Sequence, residues 1–245
     1  MQYSELHCIT NFTFLRGASH PHELVTMASN LGYRALAITD ECSLAGVVKA
    51  HVATFNRNIK LIIGSEFKID SHKVIVLVTN RNSYSKLSSL ITLARRRSKK
   101  GSYQIKWSDL KFNNDGLLII WLPCGDFKKD QLIISQLHDW FERRLWIGFH
   151  NLLNGTETSH LSYLQKLSLL WKVNVVACGD VHMHKKDRQP LQDVLTAIKQ
   201  KCSIMELGKS RYPNSERYLR KIEYLKNIYP KELMRETINI SNLCN

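Results

Sequence analysis

The sequence predicts an α/β fold, most simply a closed or nearly closed β/α barrel that is followed by a basic helical tail. Seven short apolar runs, rich in β-branched residues, recur along the 245 residues, and segments with helical periodicity lie between most of them. Continuous apolar strands separated by amphipathic helices are typical of a largely parallel sheet whose outer face is covered. A doubly wound open sheet is the main alternative, because periodicity alone does not separate the two.

The strands are predicted from short runs such as "YRALAIT" and "KVIVLVT", which are apolar and contain no proline. The seven predicted strands cover residues 3–9, 33–39, 59–67, 73–79, 116–123, 144–150 and 173–179.

The first helix carries the clearest boundary signals. Ser19 is the predicted N-cap, Pro21 suits the first turn, and Gly32 is the predicted C-terminal stop. Further helices are predicted over residues 44–57, 82–97, 128–142, 157–171 and 187–201. The β/α alternation then stops near residue 203, so we predict a barrel over residues 1–202 and a basic helical extension over residues 203–245.

Composition narrows the class of protein. Hydrophobic residues make up 44% of the chain, which is typical of a globular protein. No apolar run approaches the ~18 residues of a membrane span, and the N-terminus lacks the basic and apolar regions of a signal peptide. The six cysteines are scattered without a C-x-x-C pair, which indicates reduced thiols and a cytoplasmic protein rather than a zinc ribbon.

The formal net charge of +14 favours a polyanionic partner, and DNA is the predicted one. One basic cluster, in "ARRRSKKG", contains Arg95, Arg96, Arg97, Lys99 and Lys100. These side chains are predicted to bind phosphates, although a solvated helix end would look the same.

A second basic region covers residues 209–231. Four tyrosines are interleaved with its basic residues, namely Tyr212, Tyr218, Tyr224 and Tyr229. Aromatic rings in such a setting could stack on bases, but ordinary packing of an amphipathic helix is the alternative.

Polar side chains that suit metal binding follow several predicted strands. In "VNVVACGDVHMH", an apolar run ends in Asp180, His182 and His184, which alternate and could face one point. Carboxylate oxygen and imidazole nitrogen together suit Zn, Mn or Fe. Other candidates at strand ends are Asp40, Glu41, Glu66 and His150, and His7 lies late in the first strand. Since the C-terminal strand ends of a β/α barrel share one mouth, these residues predict a common site.

The motifs resemble a known family. The blocks "ELHCITNFTFLRGASHPHELV", "ALAITDECSLAGVVKAH", "LIIGSEF", "VACGDVHMH" and "LQDVLTAI" occur in order from residue 3 onwards. Together they resemble the PHP (polymerase and histidinol phosphatase) domain that opens bacterial C-family DNA polymerases, the polymerase III α-subunit family. Within that family the blocks are most similar to the error-prone branch, which is associated with damage-tolerant, translesion synthesis.

The resemblance implies a distorted seven-stranded β/α barrel of the PHP type, whose mouth holds up to three metal ions in intact members. Such a site supports phosphoesterase or 3′–5′ exonuclease chemistry. Carried over by position, His7, Glu66, Asp180 and His182 are the implied metal ligands, with Asp40, Glu41, His150 and His184 as further candidates. The implied cofactor is a divalent metal (Zn, Mn or Mg), at partial occupancy or none.

Several ligand positions of the family are lost. Ile9 stands where intact members have a second histidine, Arg16 where a carboxylate is common, Glu41 in place of a histidine, and Lys73 at another histidine position. Arg16 and Lys73 would neutralise the negative charge that a metal cluster needs, and an ion pair could take the place of a metal. The resemblance therefore implies a degenerate site.

Three functions follow as hypotheses. The favoured one is a structural, DNA-proximal module of an error-prone polymerase, without the palm domain and unable to polymerise DNA by itself. The second is a weak metal-dependent phosphoesterase or 3′–5′ exonuclease, and the third an independent basic DNA-binding or partner-binding barrel. Expected partners are DNA, the remaining polymerase domains, and through them the sliding clamp and mutagenesis accessory proteins, with no membrane partner.

Overall fold

The computed structural model describes residues 2–245 and contains one seven-stranded sheet with the strands in chain order. The strands are β1 (Ser4–Cys8), β2 (Ala35–Ile38), β3 (Lys60–Ile69), β4 (His72–Val78), β5 (Leu117–Leu122), β6 (Leu145–His150) and β7 (Val175–Cys178). All seven strands fall within the predicted runs or within two residues of them. The predicted seven-stranded α/β barrel is therefore confirmed.

Nine α-helices lie among residues 2–245. They are α1 (Pro21–Asn30), α2 (Val47–Thr54), α3 (Arg81–Arg96), α4 (Trp107–Phe112), α5 (Phe127–Phe141), α6 (Glu157–Trp171), α7 (Gln189–Gln200), α8 (Ile222–Ile228) and α9 (Lys231–Leu243). Short 3-10 turns cover Glu142–Arg144, Lys186–Arg188, Ile204–Glu206 and Gly208–Ser210. Helix α4 has no counterpart among the predicted helices.

The sheet is parallel except around β4, which runs antiparallel to both β3 and β5. Strands β3 and β4 form a hairpin in which Ile69 pairs with His72, so the turn consists of Asp70 and Ser71. Asp70 has a φ of 52°, a left-handed conformation that aspartate tolerates better than most residues. This tight turn explains why no helix separates β3 from β4.

The first and last strands approach each other and nearly close the barrel. The Ile9 amide donates to the Val181 carbonyl at 2.9 Å, and the Val181 amide donates to the His7 carbonyl at 2.9 Å. Both bonds lie just beyond the C-terminal end of β7. These two bonds join β1 to the segment after β7 at the mouth of the barrel.

Aliphatic side chains fill the barrel. One buried cluster combines alternate strand residues, including Leu6, Ala37, Ile62 and Ile120, with Ile240 and Cys244 from the region of α9. A second, larger cluster lies between the sheet and the outer helices. Helix α9 therefore closes the end of the barrel opposite the mouth.

The C-terminal segment packs on the barrel. The Tyr229 hydroxyl donates to the Cys178 carbonyl at 2.7 Å, and Arg220, which is 1% exposed, donates to the Asn151 carbonyl at 2.8 Å. The Ser4 amide donates to Thr237 Oγ1 at 3.2 Å. Residues 203–245 thus cover the barrel, and the division into residues 1–202 and 203–245 stays a prediction.

Three further observations bear on the sequence predictions. His20, not Ser19, occupies the N-cap of α1, because the Ser19 side chain turns to His184 instead. All six cysteines are free thiols. In residues 2–245, no helix combines the length and the apolar character that crossing a membrane requires.

Candidate functional site at the barrel mouth

An irregularity in β1 directs His7 to the mouth. Between Glu5 and Cys8 the register with β2 shifts, so that Glu5 pairs with Leu36 but Cys8 pairs with Ile38. Leu6 lies in the inner cluster and Cys8 in the outer one, which leaves His7 as the extra residue. Its imidazole consequently lies over the inner cluster, at the centre of the mouth.

Three of the four principal ligand candidates converge there. His7, Glu66 and Asp180 each offer one ligand atom, and these atoms lie within 4.8 Å of one another. His7 Nε2 is 2.6 Å from Glu66 Oε2 and 3.6 Å from Asp180 Oδ1. All three side chains are buried. The spatial convergence expected from the strand ends is therefore present.

Arg16 enters this group from the loop between β1 and α1. Its Nη1 is 2.5 Å from Glu66 Oε1 and its Nη2 is 3.0 Å from Glu66 Oε2, a two-point contact with the whole carboxylate. Nη1 also lies 2.9 Å from Glu41 Oε2, and Nη2 lies 3.8 Å from Asp180 Oδ1. One guanidinium thus contacts three carboxylates, as an ion would.

Two more cations complete the charge balance. Lys73 Nζ is 3.7 Å from Glu66 Oε2, and Arg217 Nη1 is 2.8 Å from Asp180 Oδ2. Sequence reasoning assigned Lys73 to this site but missed Arg217, which comes from the C-terminal segment 37 positions after Asp180. No local pattern marks Arg217, since it is one of several basic residues spread over residues 209–231.

Asp180 is held at a special backbone position. Its φ of 46° is in the left-handed region, which costs little for aspartate and more for most other residues. This turn brings the carboxylate over the mouth, where His182 Nε2 is 3.2 Å from Asp180 Oδ1. His182 therefore lies beside the cluster and contacts it through Asp180.

The remaining candidates divide into two groups. His150 Nε2 is 3.0 Å from His7 Nδ1, and Glu41 accepts from the Tyr103 hydroxyl at 2.9 Å, so both residues border the cluster. Asp40 lies outside it, because its carboxylate accepts from the Thr10 amide at 2.7 Å and from the Thr13 hydroxyl at 2.7 Å.

His184 also lies outside the cluster. Its Nδ1 is 2.8 Å from Ser19 Oγ, on the side of α1. Asp40 and His184 therefore order loops around the mouth and do not point into it.

The neighbouring cations decide the ionisation of the two buried carboxylates. Burial alone would raise the pKa of Glu66, but the charges of Arg16 and Lys73 outweigh burial and hold its pKa well below the ordinary value. Burial likewise opposes ionisation of Asp180, while Lys73 and Arg217 lower its pKa well below the ordinary value. Both groups are carboxylates at neutral pH.

In the buried histidines, by contrast, the effect of burial on the pKa outweighs that of the neighbouring charges. Burial lowers the pKa of His182 to about 3, against the attraction of Asp180. Burial also lowers the pKa of His150 well below its ordinary value. Both imidazoles are therefore neutral in the folded protein at neutral pH.

These shifts predict acid sensitivity in two stages. An unfolded histidine takes up a proton below a pH of about 6.5, whereas folded His182 and His150 do not, so stability falls as the pH drops below that value. Each proton that the unfolded state binds and the folded state does not lowers the free energy of unfolding by about 1.4 kcal/mol per pH unit. Below a pH of about 4.3, unfolded glutamate and aspartate also gain protons that folded Glu66 and Asp180 resist, and the loss steepens.

Urea unfolding between pH 8 and pH 3.5 measures this dependence. His182→Gln is expected to reduce the slope of the free energy of unfolding against pH between pH 6.5 and pH 4.5. His51→Gln, at an exposed position of α2, should leave that slope unchanged. An identical slope for the parent protein and His182→Gln would contradict the inference that His182 stays neutral in the folded protein over this pH range.

The side chains of the mouth do not fit a metal cluster of the kind that the PHP resemblance implies. Both oxygens of Glu66 are engaged by Arg16, and Asp180 Oδ2 is engaged by Arg217. Three cations, Arg16, Lys73 and Arg217, balance the charges of Glu41, Glu66 and Asp180 before any ion is added. A divalent cation would have to displace at least one of these three cationic side chains. Buried Ile9 offers the cation no ligand atom.

The basic cluster of residues 95–100 is only partly available for a ligand. Arg95 donates from Nε to the Cys42 carbonyl at 3.2 Å, and both terminal nitrogens of Arg97 donate to the Asp109 carboxylate. Arg96, Lys99 and Lys100 are exposed. Phosphate binding by this cluster stays a prediction, and these three side chains are its best candidates.

The tyrosines of the second basic region are mostly engaged in packing. Tyr229 is 3% exposed and lies edge-on to Phe149. The Tyr212 ring contacts His182 edge-on and lies under the Arg217 guanidinium, 4.7 Å from the ring centroid. Tyr212 therefore supports the rim of the mouth.

Comparison with known proteins adds a family to this geometry. The PHP domain family model matches residues 5–144. An error-prone DNA polymerase of Saccharophagus degradans is 45% identical over 246 residues, which cover 100% of this chain and 24% of that protein. An error-prone DNA polymerase of Methylococcus capsulatus is 47% identical, over 99% of this chain and 23% of that protein. The chain thus spans about a quarter of the length of these relatives.

Solved structures agree on the fold. A protein described as a metal-dependent phosphoesterase from Bifidobacterium adolescentis superposes with a TM-score of 0.55 at 17% identity, covering 74% of this chain and 88% of that one. An amidohydrolase from Chromobacterium violaceum superposes with a TM-score of 0.53 at 14% identity, covering 74% of this chain and 87% of that one. The family match, the error-prone polymerase relatives and the barrel architecture together show that this chain belongs to the PHP domain family.

Proposed function

We propose that this chain is the N-terminal PHP domain of an error-prone, translesion C-family DNA polymerase, and that it acts as a structural, DNA-proximal module. In this proposal the mouth is a degenerate metal site whose charges are balanced by side chains. The domain stabilises the polymerase body and lies near DNA during repair synthesis. It neither polymerises nor hydrolyses DNA by itself.

The observation that carries this proposal is the position of Arg16. Its guanidinium binds both oxygens of Glu66 and also contacts Glu41, at the point where His7, Glu66 and Asp180 converge. A buried carboxylate that is paired in two places has its desolvation cost offset without a metal. The family's acidic cluster is thus retained as an ion-pair network that ties β1, β3 and the strand-end loops together.

The DNA-proximal part of the proposal rests on charge. Arg96, Lys99 and Lys100 form an exposed cationic group at the C-terminal end of α3, and Lys68 and Lys199 line a cavity of about 290 Å³ at the mouth. Exposed lysine and arginine side chains bind phosphates without reading sequence, with an affinity that falls as salt rises. A nearby DNA strand is therefore the proposed ligand of this face.

The relatives support the proposed partners and location. The error-prone polymerases that the chain matches are about four times as long, so the remaining polymerase domains are the proposed partners of this module. The sliding clamp and mutagenesis accessory proteins would bind through those other domains. The proposed location is the cytoplasm, where a bacterial chromosome is replicated and repaired.

Two observations favour a second function. His7, Glu66 and Asp180 keep ligand atoms within 4.8 Å of one another, and buried His182 Nδ1 has no hydrogen-bond partner in the described part of the chain. A single divalent ion that displaced Arg16 or Arg217 would give a weak metal-dependent phosphoesterase. The same experiment tests both functions.

A fluorescently labelled single-stranded oligonucleotide distinguishes them. We expect salt-dependent binding by anisotropy, and an intact oligonucleotide after incubation with Mn²⁺ or Zn²⁺. Replacing Arg96, Lys99 and Lys100 by alanine should lower the magnitude of the slope of log K against log salt by about 2, since each lost phosphate contact contributes about 0.7.

The control variant removes three exposed lysines from α5 and α6, Lys128, Lys129 and Lys166, and so changes the net charge equally. Equal losses of affinity in the two variants would contradict a specific DNA-binding face. Metal-dependent cleavage that disappears in Asp180→Asn would overturn the structural role and favour the phosphoesterase.

A further inference from the structure

A second group of ligating side chains lies outside the mouth. It consists of His72, the first residue of β4, Cys124, in the loop after β5, and Asp130, in the first turn of α5. Because β4 and β5 are antiparallel and Lys73 pairs with Leu122, the loop after β5 passes beside His72. Three separate segments thus meet at one point.

The spacing of these side chains suits a metal ion. One ligand atom from each of His72, Cys124 and Asp130 lies within 4.8 Å of the other two. His72 Nδ1 and Asp130 Oδ1 are 3.4 Å apart. Nitrogen and oxygen ligands at about 2.0–2.1 Å from a tetrahedral Zn²⁺ lie about 3.4 Å from each other, so this pair already has the required separation.

Asp130 is fixed in place by hydrogen bonds. Its carboxylate is fully buried and accepts from the Cys124 amide at 3.0 Å, the Gly125 amide at 2.9 Å and the Tyr163 hydroxyl at 2.5 Å. These donors orient the carboxylate and hold the loop that carries Cys124. Outer-shell hydrogen bonds of this kind accompany ligating carboxylates in metal sites.

His72 is in a form that can bind a metal. Burial lowers the pKa of its imidazole, which is therefore neutral at neutral pH. The Trp121 indole N–H donates to His72 Nδ1 at 3.3 Å, and Asp130 Oδ1 lies 3.4 Å from the same nitrogen. A cation held between Nδ1 and the carboxylate would take the nitrogen lone pair in place of the Trp121 hydrogen bond, and would bind an Asp130 oxygen that also accepts from the Cys124 amide.

The site is accessible and lies next to the mouth. Cys124 is partly exposed and borders a cavity of about 350 Å³, which Lys73, Asp180 and Arg217 of the mouth also line. His72 lies between the rings of Trp107 and Trp121 on the outer side of the sheet, whereas the next residue, Lys73, reaches Glu66 in the mouth. No cation of the mouth network contacts Asp130.

We propose that His72, Cys124 and Asp130 form a binding site for one thiophilic divalent cation, best matched by Zn²⁺, with water as the fourth ligand. On binding, the Cys124 thiol releases its proton to solvent and a metal–thiolate bond forms, with no change of oxidation state. Nitrogen, sulfur and oxygen together favour Zn²⁺ over Mg²⁺ or Ca²⁺. The ion would join β4, the β5–α5 loop and α5, and this role is independent of the function proposed for the mouth.

Titration of the intact chain with Co²⁺ tests this site, because a cobalt–thiolate bond gives a charge-transfer band in the near ultraviolet. We expect the band to saturate at one equivalent of Co²⁺ and to disappear when Zn²⁺ is added. Cys124→Ser should abolish the band. Cys202→Ser, at the other partly exposed cysteine, should keep it.

Two further variants locate the ion. Asp180→Asn should leave the band unchanged, and His72→Asn should weaken Co²⁺ binding at least tenfold while circular dichroism shows a folded protein. Absence of a thiolate band in the parent protein, or its persistence in Cys124→Ser, would overturn the proposal. Loss of the band in Asp180→Asn would also overturn it, since the ion would then lie between Cys124 and the mouth.

Discussion

Replacing Arg16 by alanine is expected to lower the free energy of unfolding by about 3 kcal/mol. The substitution leaves Glu66 buried without its two-point partner, and the remaining neighbours, His7 and Lys73, offset only part of the cost. For a chain of this length, such a loss corresponds to a fall in Tm of about 6–12 °C. Differential scanning fluorimetry at pH 7 in the presence of a chelator measures it.

Two other arginine variants make this measurement specific. Arg16→Lys keeps the charge but loses the two-point geometry, and should fall between the parent protein and Arg16→Ala. Arg97→Ala removes an equally direct pair with Asp109, but the arginine is more exposed than Arg16, so this variant should lower Tm less than Arg16→Ala does. If Arg16→Ala melts at the temperature of the parent protein, the mouth network does not stabilise the fold.

Restoring ligands to the mouth should raise its metal affinity at least a hundredfold, or about 2.7 kcal/mol. The variant combines Ile9→His, Arg16→Asp, Glu41→His and Lys73→His. It replaces two cations by a carboxylate and an imidazole, and leaves Arg217 as the one cation of the former network. The mouth then has an excess of negative charge and additional imidazoles, which a divalent ion requires.

Metal content after dialysis against Mn²⁺ or Zn²⁺, read by mass spectrometry, measures this gain. Both the parent protein and the restored variant should carry Cys124→Ser, so that an ion at His72, Cys124 and Asp130 is not counted. We expect about one bound ion per chain in the restored variant and little in its parent. Equal metal in the two proteins would mean that these four positions are not the former ligand positions.

Local patterns were sufficient to predict the architecture. Each apolar run that was predicted as a strand is one, and all five helices that were predicted individually after α1 begin and end within three residues of their predicted bounds. The direction of β4 was not predicted, although Asp70 and Ser71 between two apolar runs are a hairpin signal. Helix α4 was missed because its six residues are too few to show a period.

The site was predictable to the extent that it depends on strand ends. His7, Glu66 and Asp180 converge as expected, because the ends of parallel strands share one mouth. Asp40 was not separable from them by sequence, since its direction is set by hydrogen bonds from Thr10 and Thr13. Arg217 depends on a contact between distant segments, which no pattern of neighbouring residues encodes.

The barrel is not complete until helix α9 is present, and α9 lies far from β1 in the sequence. The contact of the Ser4 amide with Thr237 joins residues 233 positions apart, and Ile240 and Cys244 enter the same cluster as Leu6. At a ribosomal rate of about 5–20 residues per second, β1 emerges on the order of ten to fifty seconds before its partners in α9. During that interval the aliphatic interior is open at one end, so apolar side chains such as Leu6 are exposed to solvent until α9 has left the ribosome.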